Sequence, residues 1–324
     1  MPHPIPDDPG MRDFIALNDR YFPLDAITLS MADQRGRYDA YCADLLAPMP
    51  QGVTFEDVYV SAQSPARLVR MRRYSPPQRD NPKVTILYMH GGGFIVGGLE
   101  SHHDICAELC LAAGTELVSL DYRLAPEHIH PAQIDDTLAA YRHLLQLGRT
   151  VVVAGDSAGG NLAAALCLRC KGGAGHGAMP MPLGQLLIYP GLGGDETKGS
   201  YVEMGDAPLL TTQDVDYYFS IRSGGATRTD CADPDLMPLM AGDFSGVPPA
   251  VIVSADIDPL RDDARDYRDA LQAAGVAAIW RNEPQLLHGY VRARHMGGRA
   301  GASFAWICGM LARLARGMPV ADAG

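Results

Sequence analysis

Short, nearly unbroken apolar runs alternate with stretches of helical periodicity through most of this chain. FEDVYV (55–60) and ARLVRMRRY (66–74) read as an opening antiparallel pair. VTILYM (84–89), TELVSLDY (115–122), VVVAGD (151–156), GQLLIYP (184–190), AVIVSA (250–255) and VAAIWRNE (276–283) follow. Between them SHHDICAELCLAA, IDDTLAAYRHLLQL and ARDYRDALQAAG predict helices, the last closed by a glycine suited to a C-cap. Apolar strands separated by helices predict an α/β fold: a mostly parallel, eight-stranded sheet covered on both faces. Ligands of such sheets bind beyond the carboxyl ends of the strands.

Two segments stand outside this alternation. Residues 1–50 carry helical stretches at Met11–Arg20 and Thr28–Leu46, and residues 199–222 carry another, opened by Thr211 and Asp214 at capping-box spacing. Both are expected to cap the active edge of the sheet, packing helices being the alternative. The sheet-bearing domain is then 51–198 together with 223–324. GGAGHGAMPMPLG (172–184) reads as a loop.

Composition narrows the field. With 324 residues, 47% hydrophobic and 20% charged, the chain is expected to fold as a globular protein. A formal net charge of −11 argues against nucleic acid or an anionic membrane surface as partner. MPHPIPDDPG offers neither a basic n-region nor an apolar h-region, and no apolar run reaches membrane-spanning length. Seven cysteines make an odd set, and the lone CxxC of Cys167 and Cys170 sits in a helical stretch without a second pair at zinc spacing. The expectation is a reduced, cytoplasmic protein with no structural metal and no membrane insertion.

Two glycine-bearing strand exits carry the chemistry. GDSAGG (155–160) follows VVVA and precedes helical NLAAALCL, the strand–turn–helix context of a nucleophile elbow. A serine at the tip of so sharp a turn leaves no room for side chains two positions away, hence Gly155 and Gly159 around Ser157. HGGG (90–93) leaves the strand VTILYM. Acyl transfer develops an oxyanion, and backbone N–H groups can approach it only where side chains are missing. Gly91, Gly92 and Gly93, with Ala158 at a helix start, meet that need. A phosphate cradle is the rival use of such glycines, but neither G-x-G-x-x-G nor G-x-x-x-x-G-K-[ST] occurs.

A serine needs a base, and the base an orienting carboxylate, in the chain order Ser, acid, His. Of His176, His288 and His295, only His288 falls just after the last strand. For the acid, Asp256 and Asp258 both lie beyond AVIVSA and share parity, so strand alternation cannot separate them, whereas Asp262 and Asp263 read as helix N-terminal charges.

The set HGGGF (90–94), DYRLAPEH (121–128), GDSAGG (155–160), DPLRD (258–262) and HGY (288–290) resembles the hormone-sensitive-lipase-like branch of the α/β-hydrolases, the bacterial family IV esterases. The match runs from about Val84 to the final helix; the first 50 residues are only generally similar to that family's cap. The resemblance implies an α/β-hydrolase fold and a serine hydrolase of short-chain acyl esters, a small-molecule substrate, no cofactor, and a homodimer as one option. It also implies that the acid is Asp258, which opens DPLRD, with Ser157 as nucleophile and His288 as base. Gly91 and Gly92 are the oxyanion donors expected first. His90 resembles the family's structural histidine, and Asp156 places the chain with the GDSAG subgroup. Arg123 and Glu127 are expected to pair within the fold. Tyr290 departs from the family's usual phenylalanine and would put a hydroxyl near the base. Phe14, Phe22, Tyr201, Tyr217 and Tyr218 are candidate walls of the acyl site. Alternatives are an amidase, lactonase or carbamate hydrolase with the same machinery, or a non-catalytic small-molecule receptor.

Overall fold

The computed structural model describes residues 5–22, 26–63, 66–172 and 177–320. Eight strands form a single sheet: β1 (Thr54–Gln63), β2 (Ala66–Ser75), β3 (Val84–Met89), β4 (Glu116–Asp121), β5 (Thr150–Asp156), β6 (Gly184–Ile188), β7 (Ala250–Ile257) and β8 (Ala278–Leu287). Their order is β1-β2-β4-β3-β5-β6-β7-β8. β1 and β2 pair antiparallel, β2 lies antiparallel to β4, and all later pairs are parallel. β3 is buried throughout, as a strand covered on both faces must be.

Helices α1 (Pro9–Tyr21), α2 (Met31–Asp44), α3 (His103–Ala113), α4 (Ala132–Gln146), α5 (Ala158–Cys170), α6 (Ser200–Glu203), α7 (Thr212–Ser223), α8 (Arg261–Ala273) and α9 (Gly298–Ala315) complete the chain. One apolar layer joins α1, α3 and α9 to one face of the sheet, and a second joins α4, α5 and α8 to the other. The capping box at Thr211 and Asp214 forms as its spacing predicts, and Gly275, at φ +77°, follows the end of α8. Cys167 and Cys170 are buried thiols on α5.

Register decides where the chemistry sits. Met89 pairs with Gly155, so the exits of β3 and β5, HGGG and the Ser157 turn, leave the sheet side by side. Ile257 pairs with Leu287, so Asp258 and His288, each one residue further, also emerge as neighbours. No helix among the described residues is long and apolar enough to cross a membrane.

Candidate active site

Ser157 sits at φ +53° and ψ −117°, a strained backbone for a residue with a Cβ. Its amide donates to the Ile188 carbonyl at 2.8 Å, which holds the turn against β6. Gly159 allows it: a Cβ there would overlap the Met89 carbonyl, and one at Gly155 would overlap the Gly159 backbone. Both glycines are thus demanded by close backbone approach.

His288 Nε2 lies 2.9 Å from Ser157 Oγ, and its Nδ1 lies 2.7 Å from Asp258 Oδ2. Asp258 is fully buried, and its other oxygen accepts the Leu260 amide at 2.8 Å, fixing the carboxylate toward the ring. The Tyr189 ring tilts against the imidazole with centroids 4.8 Å apart. Asp256 turns elsewhere: a register shift between Ala255 and Ile257 breaks the alternation, and its carboxylate accepts from Asn282 Nδ2 at 2.9 Å. Asp262 and Asp263 hold backbone amides around residues 192–200. His295 bonds Glu108. His176 lies outside the described residues.

The glycine loop requires one correction. Gly91, expected among the first oxyanion donors, instead gives its amide to Asp156 Oδ1 at 2.9 Å, and a Cβ there would strike the same carboxylate. The amides of Gly92, Gly93 and Ala158 have no acceptor among the described residues. Gly92 and Gly93 have φ of +122° and +58°, and a Cβ on Gly93 would lie 2.6 Å from the Tyr218 ring. Both glycines, Ser157, Ala158 and His288 line one cavity of about 700 Å³.

Behind the loop lies a buried polar cluster. Asp156 accepts from the Tyr88 hydroxyl at 2.7 Å as well as from Gly91, and lies 3.3 Å from His102 Nε2. Burial acts to raise its pKa, but the neighbouring His102, Arg292 and Tyr88 hydroxyl outweigh it and hold the carboxyl well below its ordinary range. Arg292 in turn donates to Tyr38 of α2 at 2.7 Å. His90 stacks on Tyr122 at 4.2 Å, and its Nδ1 is 2.8 Å from the Gly91 carbonyl. Burial, with His102 beside it, lowers its pKa to about 3, so the ring is neutral. His90 is thereby a prop of the loop, with no contact to Ser157.

Residues from α1, α2 and the 199–222 segment wall the cavity, among them Ile15, Phe22, Tyr41, Tyr201, Tyr218 and Phe219. Phe14 instead packs in the core against Tyr41, and the Tyr217 hydroxyl accepts from Gln34 Nε2 at 2.8 Å. The Tyr290 hydroxyl contacts Ser303 Oγ at 2.7 Å rather than the base. Arg123 bonds Asp136 and Glu127 bonds Arg35, so these two pair within the fold but not with each other. Sequence reading missed Tyr189 and Arg222. Tyr189 could have been found, since it leaves β6 at the same sheet edge as Ser157.

A family model for the α/β-hydrolase fold matches residues 86–292. Carboxylic ester hydrolase LipN of Mycobacterium tuberculosis is 34% identical over 91% of this chain and 80% of its own length. Carboxylesterase NlhH of the same organism is 41% identical over 69% and 71%. Among solved structures, an esterase of the bacterial hormone-sensitive lipase family superposes with a TM-score of 0.80 at 26% identity, over 95% of this chain and 98% of that one. With family model, relatives and fold in agreement, the chain belongs to the α/β-hydrolase family, in its hormone-sensitive-lipase-like branch, and is a carboxylic-ester hydrolase.

Proposed function

We propose that the chain hydrolyses short-chain acyl esters through Ser157, His288 and Asp258. The observation that carries this reading is the continuous contact from Ser157 Oγ to His288 Nε2 and from His288 Nδ1 to Asp258 Oδ2, at 2.9 and 2.7 Å. His288 removes the Ser157 proton as the oxygen attacks the ester carbonyl, and Asp258 holds the ring in the tautomer whose Nε2 is free to accept. The oxyanion then meets the amides of Gly92, Gly93 and Ala158, which carry no other acceptor. His288 gives its proton to the leaving alcohol. A water then repeats the sequence on the acyl-enzyme, with the same histidine as base. No metal or organic group takes part in these steps.

The first 50 residues and the 199–222 segment act in this reading as a cap that shapes the acyl and alcohol sites, supported by their side chains lining the cavity. The test is Ser157→Ala assayed on p-nitrophenyl esters of increasing acyl length. Turnover should vanish, and a serine-directed fluorophosphonate should label the parent chain at Ser157 alone. Hydrolysis surviving in Ser157→Ala would remove the reading.

A further inference from the structure

Arg222, near the end of α7, lines the cavity that holds Ser157 yet is only 1% exposed. A buried cation is costly unless a carboxylate offsets it. Arg222 has no ion pair among the described residues. Its Nη1 donates to Asn161 Oδ1 at 2.9 Å and its Nη2 to the Asp235 carbonyl at 3.0 Å, both neutral acceptors. Its Nε is buried with no acceptor at all. The guanidinium also lies over the Phe94 ring at 3.7 Å, a contact that leaves its charge unneutralised.

The nearest carboxylates are already committed. Asp235 is held by Arg169 through Nε at 2.7 Å, and Asp233 by His130 at 3.0 Å. Burial lowers the Arg222 pKa to about 10, which still leaves it charged at neutral pH. Phe94 covers one face of the guanidinium, and Phe219, Leu236 and Met237 line the same cavity. An anion seated against that wall of the cavity meets a weakly solvated guanidinium that no carboxylate neutralises, where electrostatic attraction is strongest.

Position links this charge to the reaction. Asn161, which holds Nη1, is one helical turn beyond Ser157, its amide donating to the Ser157 carbonyl at 3.1 Å. Ser157, Asn161 and Arg222 line the same cavity, so a short chain on an ester seated at Ser157 shares one enclosed space with the guanidinium.

We infer that Arg222 is an anion subsite, and that the esters this chain favours carry a carboxylate a few carbons from the scissile carbonyl. The inference rests on the ester-hydrolase reading and narrows its substrate class. Neutral short-chain esters still fit the cavity, but they leave the guanidinium charge without a counter-ion.

The test separates binding from chemistry. Calorimetry on Ser157→Ala compares monoethyl succinate, glutarate and adipate with their uncharged amide counterparts of equal length. At one or more lengths the carboxylate should bind at least tenfold more tightly, and adding Arg222→Gln should erase the difference. Equal or weaker binding of the carboxylate at every length overturns the subsite, as does a preference that survives Arg222→Gln. Because removing the cation can unfold α7, Arg222→Lys is the second variant: with charge kept, part of the preference remains, and its complete loss in folded protein overturns the charge argument. Hydrolysis of neutral p-nitrophenyl esters by the parent chain reports the ester-hydrolase reading separately.

Discussion

The Gly91 amide donates to Oδ1 of Asp156 across 2.9 Å, which ties the first glycine of HGGG to the residue preceding Ser157. The loop and the elbow are thereby tied together, while Gly92 and Gly93, whose amides have no acceptor among the described residues, line the cavity. Asp156 can serve because Tyr88 and Gly91 both donate to it, with His102 and Arg292 alongside.

Asp156→Asn removes that charge and one acceptor oxygen while leaving the cavity lining in place. Losing the alignment of an oxyanion donor costs on the order of 100-fold in kcat, and a fall of about 10–100-fold with KM little changed is expected. Steady-state kinetics on a p-nitrophenyl ester decide it; an unaltered kcat would show that the tether is dispensable.

The two aspartates that parity could not separate should respond very differently. Asp258→Asn leaves His288 in the wrong tautomer and should lower kcat about 10⁴-fold. Asp256→Asn, whose carboxylate bonds Asn282, should stay within about threefold of the parent. Reversed outcomes would move the acid to Asp256.

Acid should destabilise the fold through its buried neutral histidines. Burial depresses His90 to about 3 and lowers His102 as well, so below the unfolded value of about 6.5 the unfolded chain takes up the protons first. Stability is therefore full above that pH and falls as pH drops toward the folded values, by up to about 1.4 kcal/mol per unit for each such ring. Urea unfolding at several pH values from 7.5 to 5 should show the decline, and His102→Asn should make it shallower. A midpoint that stays constant over this range would contradict a neutral, buried pair.

Glycines divide by what a methyl group would meet. Gly36 lies within α2 with nothing within 4 Å of an added Cβ, so Gly36→Ala should stabilise by about 1 kcal/mol. Gly159→Ala drives a Cβ into the Met89 carbonyl and should destabilise by about 3 kcal/mol or more. Thermal melts of the two variants check both signs.

From the sequence alone came the α/β fold, the order of its eight strands along the chain, the elbow at Ser157 and the choice of His288. These are legible because apolar period, glycine spacing and chain order are local properties. The choice of Asp258 came from resemblance to a family, since a register shift after Ala255 defeats any parity rule. Tertiary structure alone decided that Gly91 serves the fold, that the Tyr290 hydroxyl turns to Ser303, and that Arg222 is buried without a carboxylate. Each of these depends on partners 13 to 65 positions away, or on the lack of one. A donor's destination or a charge's solvation is set by the neighbours that packing supplies, and no local pattern encodes them.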